Sequence, residues 1–198
     1  MKYLFLIFVT LIFIGCSNTI PPKVEYRINS QIQGEPFAQS GCIDKSLKIA
    51  RAFSSNTLRS QDMSYRVGDS KQYTYSEALW SVTPNKAVTF EFLSLVRDSQ
   101  LFKSVQTSKS RSSSDIILEL NIEDFMQYFN DDSTSSYVNT VINLSLINVQ
   151  TNTVFATQTF RKKVVVNELN SNAGVNALNI ALQEILKESS IWLGRICK

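Results

Sequence analysis

The sequence predicts an α+β fold, an antiparallel or mixed β-sheet with two helices packed on one face. Three observations carry this. Ile116, Leu118, Leu120 and Ile122 alternate with Ile117, Glu119, Asn121 and Glu123, the period of a half-buried strand. Val88, Phe92, Leu95 and Val96 fall instead at i, i+4, i+7 and i+8, and Val175, Leu178, Leu182, Ile185 and Leu186 near the C-terminus also keep helical spacing. Lastly, three long alternating segments joined by short polar links imply an antiparallel meander.

In chain order, Val24 to Ile28 alternates and reads as a first strand, and Lys45 to Phe53 as a second. Met63 to Val67 and Gln72 to Tyr75 read as short strands around Gly68-Asp69. Thr83-Pro84 places a capping residue before a proline in the first helical turn, so a helix begins there and ends near Gln100. Leu101 to Val105 returns to alternation. Thr107 to Ser114 is rich in serine and reads as a loop, without the glycine spacing of an anion-binding turn. The strand from Ile116 is followed by a turn at Asn130-Asp131-Asp132-Ser133, a partner strand through Val138, Ile142, Leu144 and Leu146, and a tight link at Gln150-Thr151-Asn152. Val154 to Val166 is then the third long strand, and Asn172 to Cys197 an amphipathic helix lying across the sheet.

The chain has 198 residues, 43% of them apolar, with only 6 Gly and 4 Pro, which excludes a disordered or collagen-like polymer. Lys and Arg number 20 against 17 Asp and Glu, so no basic excess points to nucleic acid. The sequence contains no histidine. That removes Ser-His and Cys-His nucleophile pairs and the commonest metal ligand, and the expectation is a protein that is not an enzyme and uses no cofactor.

Residues 1–15 read as a leader: Met1-Lys2-Tyr3, then the apolar run Leu4 to Ile14, then Gly15-Cys16-Ser17. Eleven helical residues span about 16 Å, too little for a hydrocarbon core of about 30 Å. Ile14-Gly15-Cys16 resembles the end of a bacterial lipobox, in which the cysteine thiol is diacylated and the chain is cut before it. The plainer alternative is an ordinary signal peptide with an incidental cysteine. Two acyl chains would anchor the protein firmly, at about 0.8 kcal/mol per buried methylene. Ser17 after the cysteine points, by the enteric sorting rule, to the outer membrane facing the periplasm, ahead of the inner membrane. Residues 16–23 form a tether containing Pro21-Pro22, and the globular domain occupies 24–198. From Cys16 to Val24 the reach is at most about 28 Å.

Few side chains suggest chemistry. Glu119, Glu123 and Asp124, with Asp131-Asp132 close behind, could pair for acid/base work, but their parity and the turn composition favour solvated positions. Phe125, Met126, Tyr128 and Phe129 form an aromatic cluster that is either core or an exposed gripping patch, and Trp80 near Tyr73 and Tyr75 shares that ambiguity. Cys42 and Cys197 would meet an oxidising compartment after export. They are either joined, closing a loop of about 155 residues worth roughly 5 kcal/mol, or two buried thiols. With no histidine and such separation, a zinc site is not credible.

Taken in order, these features resemble the ABC-type transport auxiliary lipoproteins, the paraquat-inducible C-type lipoprotein family. The resemblance rests on the lipobox, a first strand containing Tyr26, then Tyr75 with Trp80 five residues on, Pro84 opening a helix, and the Leu101-Phe102 pair after it. The strand from Asp115 to Leu120, the hairpin from Val141 to Phe160 and the closing helix with Trp192-Leu193 complete it. The Cys42/Cys197 pair is outside the family pattern. The resemblance implies a periplasm-facing lipoprotein partnered with an MCE-domain substrate-binding protein and its ABC permease and ATPase, in a system that moves phospholipids between membranes. Phospholipid contact and homo-oligomerisation are left open. The rival expectations are an envelope assembly or structural lipoprotein acting on outer-membrane proteins or lipopolysaccharide, and a lipid carrier with its own cavity.

Overall fold

The computed structural model describes residues 22–37 and 39–198, so the leader, Cys16 and most of the tether lie outside the described residues. The strands are β1 (Val24–Tyr26), β2 (Ser46–Ile49), β3 (Phe53–Ser54), β4 (Asp62–Val67), β5 (Lys71–Trp80), β6 (Ser104–Thr107), β7 (Ile116–Phe129), β8 (Ser136–Asn148) and β9 (Thr153–Val166). The helices are α1 (Pro84–Asp98) and α2 (Ser171–Ile196). All nine strands form one mixed sheet, with the helices on one face of it.

β7 organises the sheet. Along one edge it pairs antiparallel with β8 from Ile116↔Asn148 to Phe129↔Ser136, and β8 pairs antiparallel with β9. The expected meander is therefore present. Along its other edge β7 receives three short strands in succession, all parallel: β2 at Ile116–Leu118, β3 at Asn121–Ile122 and β4 at Gln127–Phe129. β6 extends the sheet beyond β2 and β5 beyond β4, with β1 outermost on β5. Asp115 sets this register, because one carboxylate oxygen accepts from both the backbone N–H and the hydroxyl of Ser46 at 2.7 Å. Those two donors hold the Asp115 carboxyl below its ordinary range.

Several boundaries differ from expectation for physical reasons. The segment expected as one strand from Lys45 to Phe53 is two strands. After Ile49 the chain turns off β7, and the Ala52 N–H is taken by the Thr89 hydroxyl of α1 at 3.0 Å. The first strand stops at Tyr26 rather than Ile28. Leu101 and Phe102 are not in the sixth strand but plug the core just before it, 1% and 5% exposed. β5 runs on to Trp80, well past Tyr75, because β1 pairs with its last residues.

The alternation of the long strands divides the sheet faces. Leu118, Leu120, Ile122, Val138, Ile142 and Leu144 lie on the covered face and pack with Phe92, Leu95, Leu182, Ile185 and Leu186 of the helices in one continuous core. α2 is closed at its start by Asn170, whose side chain accepts from the Ala173 N–H. Lys162 of β9 reaches up to Glu188 and Glu184 of α2, at 2.6 and 3.4 Å.

The segment joining β1 to β2 has no regular structure and acts as a strap over the helices. The Asn29 N–H donates to Asn179 of α2, and Ser30 bonds Glu91 of α1. Gly34 lies so close to the backbone of α1 that a Cβ there would meet the Leu95 carbonyl and, at 2.8 Å, the Ser99 nitrogen. Phe37 N–H donates to the Ser99 carbonyl, and the Phe37 ring lies against Gly194. The strap thus advances in step with both helices. It ends where the Gly41 N–H meets the Cys197 carbonyl and Cys42 is disulfide-bonded to Cys197, with Cα atoms 5.1 Å apart. Of the two cysteine alternatives, the structure has the disulfide.

Because this bond ties positions 155 residues apart, reducing it frees a long loop in the unfolded chain. The chain-entropy model puts the loss near 5 kcal/mol. Thermal unfolding with and without a thiol reductant, and of Cys42→Ser/Cys197→Ser, should show a lower midpoint for the reduced and double-serine forms alike. Equal midpoints would show that the strap is held without it.

Candidate functional site

The residues singled out from sequence prove to be separate supports of the fold. Tyr26 packs half-buried beside Trp80, its partner in the β1–β5 pairing. Trp80 is 4% exposed and tilts against Phe125 at 6.1 Å. Pro84 opens α1, as expected. Leu101 and Phe102 are core, and Trp192 meets Phe160 of β9 edge-on at 6.1 Å. Tyr75 donates to Gln127 Oε1 at 2.9 Å, and Gln127 in turn donates to Ser136 at 3.0 Å. This buried chain explains Gly174 of α2: any side chain there would run into the Gln127 amide, which its two partners hold in place.

The acidic cluster is dispersed in the way its parity suggested. Glu119 and Glu123 are exposed. Asp132 accepts from the N–H and hydroxyl of Thr134 within the β7–β8 turn, and these bonds lower its carboxyl pKa. The aromatic cluster is split between the two faces, since a bulge between Ile122 and Asp124 resets the alternation. Phe125 and Phe129 turn to the helices, whereas Met126 and Tyr128 turn away.

Among the described residues, no helix or strand covers that second face. It has three zones. At the β7 N-terminal end lie half-buried Ile117 and Ile147. The middle is a ladder of small polar groups: Asn143 donates to Thr159 at 2.8 Å, and Ser145 bonds Thr157 at 3.2 Å. At the far end four strands contribute one residue each to a stack. Arg66 of β4 sits 5.7 Å from the Tyr128 ring of β7. Tyr128 stacks on Tyr137 of β8 at 5.2 Å and 5°. Lys163 of β9 then lies 3.5 Å from the centre of the Tyr137 ring. A cation caps each end of an aromatic pair, an attraction worth about 0.5–1 kcal/mol at exposed sites.

Asp124 locks the stack, accepting at Oδ2 from the Tyr128 hydroxyl at 2.6 Å and from Asn139 at 2.7 Å. Burial, then the bond to Asp124, pushes the Tyr128 hydroxyl above the usual phenol range. The group is a donor held in place, not an acid poised to react. Burial likewise raises Tyr75, with Tyr65 and Glu77 adding to it. The arrangement is suited to holding a partner through flat aromatic area, fixed cations and amide or hydroxyl hydrogen bonds. Sequence reading missed it, because Arg66, Tyr128, Tyr137 and Lys163 come together only through strand register.

One concave feature accompanies the strap: an open groove of about 810 Å³ between the strap and α2, lined by Ile32, Pro36, Phe37, Leu95, Lys187 and Ile191. Among the described residues there is no group of three or more His, Cys, Asp or Glu placed to hold a metal. No described helix is long and apolar enough to cross a membrane.

Both raised tyrosines keep their protons in the folded state where an unfolded tyrosine, with a pKa near 10, loses its own. The folded state then binds more protons, so stability is full below about pH 10 and falls as pH rises further. Denaturant midpoints followed from neutral to alkaline pH should fall less steeply in Tyr75→Phe/Tyr128→Phe than in the parent chain. Identical slopes would mean the hydroxyls are not so held.

No family model matches the chain, and no curated protein matches it. Among the solved structures it matches, two superpose over nearly the whole domain. Protein XCC0632 from Xanthomonas campestris, of family model DUF330, superposes with a TM-score of 0.74 at 16% identity, covering 88% of this chain and 95% of that one. An uncharacterized protein superposes with a TM-score of 0.65 at 13% identity, covering 87% of this chain and 99% of its own. At these identities the likeness is one of fold, and it extends over nearly the whole described domain.

Proposed function

We propose that this chain is a lipid-anchored, periplasm-facing subunit of an ABC-type transport system, seating an MCE-domain substrate-binding protein at the outer membrane. The family resemblance, the lipobox-like Ile14-Gly15-Cys16 and the exported-type disulfide support the reading. The observation that carries it is the uncovered face of the β7–β8–β9 sheet with its Arg66–Tyr128–Tyr137–Lys163 stack. That face offers area and fixed polar groups to another protein, and nothing in it is arranged to break or make a bond. The tether keeps Val24, where the domain begins, within about 28 Å of the anchor, so spanning between two membranes falls to the partner. The groove beside the strap is open rather than an enclosed cavity, which favours docking over carriage.

Two variants test the reading separately. Cys16→Ala should move the protein out of the outer-membrane fraction on density separation. Arg66→Glu/Lys163→Glu should leave it membrane-bound while abolishing recovery of an MCE-domain protein in pull-downs from solubilised envelopes. Recovery of a β-barrel protein in place of an MCE protein would favour the assembly-factor alternative. An unchanged location for Cys16→Ala would remove the anchor from the account.

A further inference from the structure

The sheet ends on one side at β9, a strand of fourteen residues whose outer edge has no partner among the described residues. Such an edge presents a row of backbone N–H and C=O groups, and proteins ordinarily blunt it by pointing charged side chains along it. β9 carries three successive cations, Arg161, Lys162 and Lys163. Two of them are drawn off the edge and onto the sheet faces. Lys162 is held by Glu188 and Glu184 over the covered face, and Lys163 lies over Tyr137 on the open one. Exposed apolar residues flank the cations on both sides: Val165 at 72%, and Val154 and Phe155 at 56% and 47%.

We propose that this edge is the seam of a homodimer, in which a second copy of the chain adds its own β9 antiparallel about a two-fold axis perpendicular to the sheet. The sequence of the strand selects the register. With the axis at Phe160, Arg161 faces Thr159, Lys162 faces Gln158, Lys163 faces Thr157 and Val164 faces Ala156. No like charges are opposed, and the paired stretch stops short of the β9 bulge that begins beyond Ala156. An axis at Arg161 sets that residue against itself, and an axis at Lys162 sets Arg161 against Lys163, both destabilising. An axis at Thr159 avoids the clash but shortens the stretch free of the bulge. Phe160 gives the longest pairing free of both faults. Directly opposed residues then point to the same side, so the two pairs of helices lie on one face. The two open faces join into one surface. This inference does not depend on the anchor or on the MCE partner.

Sedimentation velocity on the full chain in density-matched detergent should show a dimer. Thr157→Lys/Thr159→Arg places cations opposite Lys163 and Arg161 and should raise the dimer dissociation constant by at least roughly tenfold. Thr157→Glu/Thr159→Glu places carboxylates there and should lower it. A monomer at every soluble concentration, or both pairs of substitutions shifting the equilibrium the same way, would overturn the proposal. A measurement that leaves both threonines in place stands beside these: a nitroxide at position 161 in each copy puts the two labelled backbones roughly 8 Å apart across the seam. Strong spin–spin broadening is expected. Its absence, in a dimer or any larger assembly, would overturn the proposal too.

Discussion

The pairing of β7 along both of its edges is the constraint on which the rest depends. Its alternation places Leu118, Leu120 and Ile122 under the helices, all three almost completely buried. A slip of one residue against β8 would turn that row to the open face and bring Glu119 and Asn121 inward. The Asp115–Ser46 bonds fix the register at one end of β7. At the other end Gln127, held by Tyr75 and Ser136, ties β7 to β5 and β8 beneath the start of α2. The bulge after Ile122 lets one strand serve two surfaces, with Phe125 and Phe129 in the core and Tyr128 outside.

The covered face is closed by helices and strap, whereas the other remains available. Holding the strap takes a disulfide and backbone bonds because the segment has no regular pairing of its own between β1 and β2. That investment concerns the helical side. On the open side, rigidity comes from the sheet itself: the Asn143, Ser145, Thr157 and Thr159 bonds cross strands that are already fixed, and the Arg66-to-Lys163 stack crosses four. A surface so immobilised loses little conformational freedom when a partner lies on it, which is what pre-organised recognition requires.

Much of this was legible in the sequence. Period-2 segments located β7, β8 and β9, and period-3.6 segments located both helices to within about two residues, because each buries one face against a common core. Thr83-Pro84 marked the start of α1. The parallel pairings of β2, β3 and β4 on β7 were not legible, since they are long-range and the strands too short to show a clear period. Nor was the split of the second strand, which follows from Thr89 of α1 taking the Ala52 N–H. The candidate surface stayed hidden for a related reason. Tyr128 looked like one member of an aromatic cluster, and only its pairing with Tyr137, read across the register, sets it between Arg66 and Lys163. Tyr26, Trp80, Leu101, Phe102 and Trp192, which carry the family resemblance, brace the fold and do not line a site.

We propose the uncovered sheet face, and not the groove beside the strap, as the seat of a protein partner. Photo-crosslinking in intact cells tests this most directly, with the reactive side chain placed at Asn143 on the open face or at Lys187 in the groove. Adducts to an MCE-domain protein from position 143, and none from 187, are expected. Partner adducts from 187 alone would contradict it.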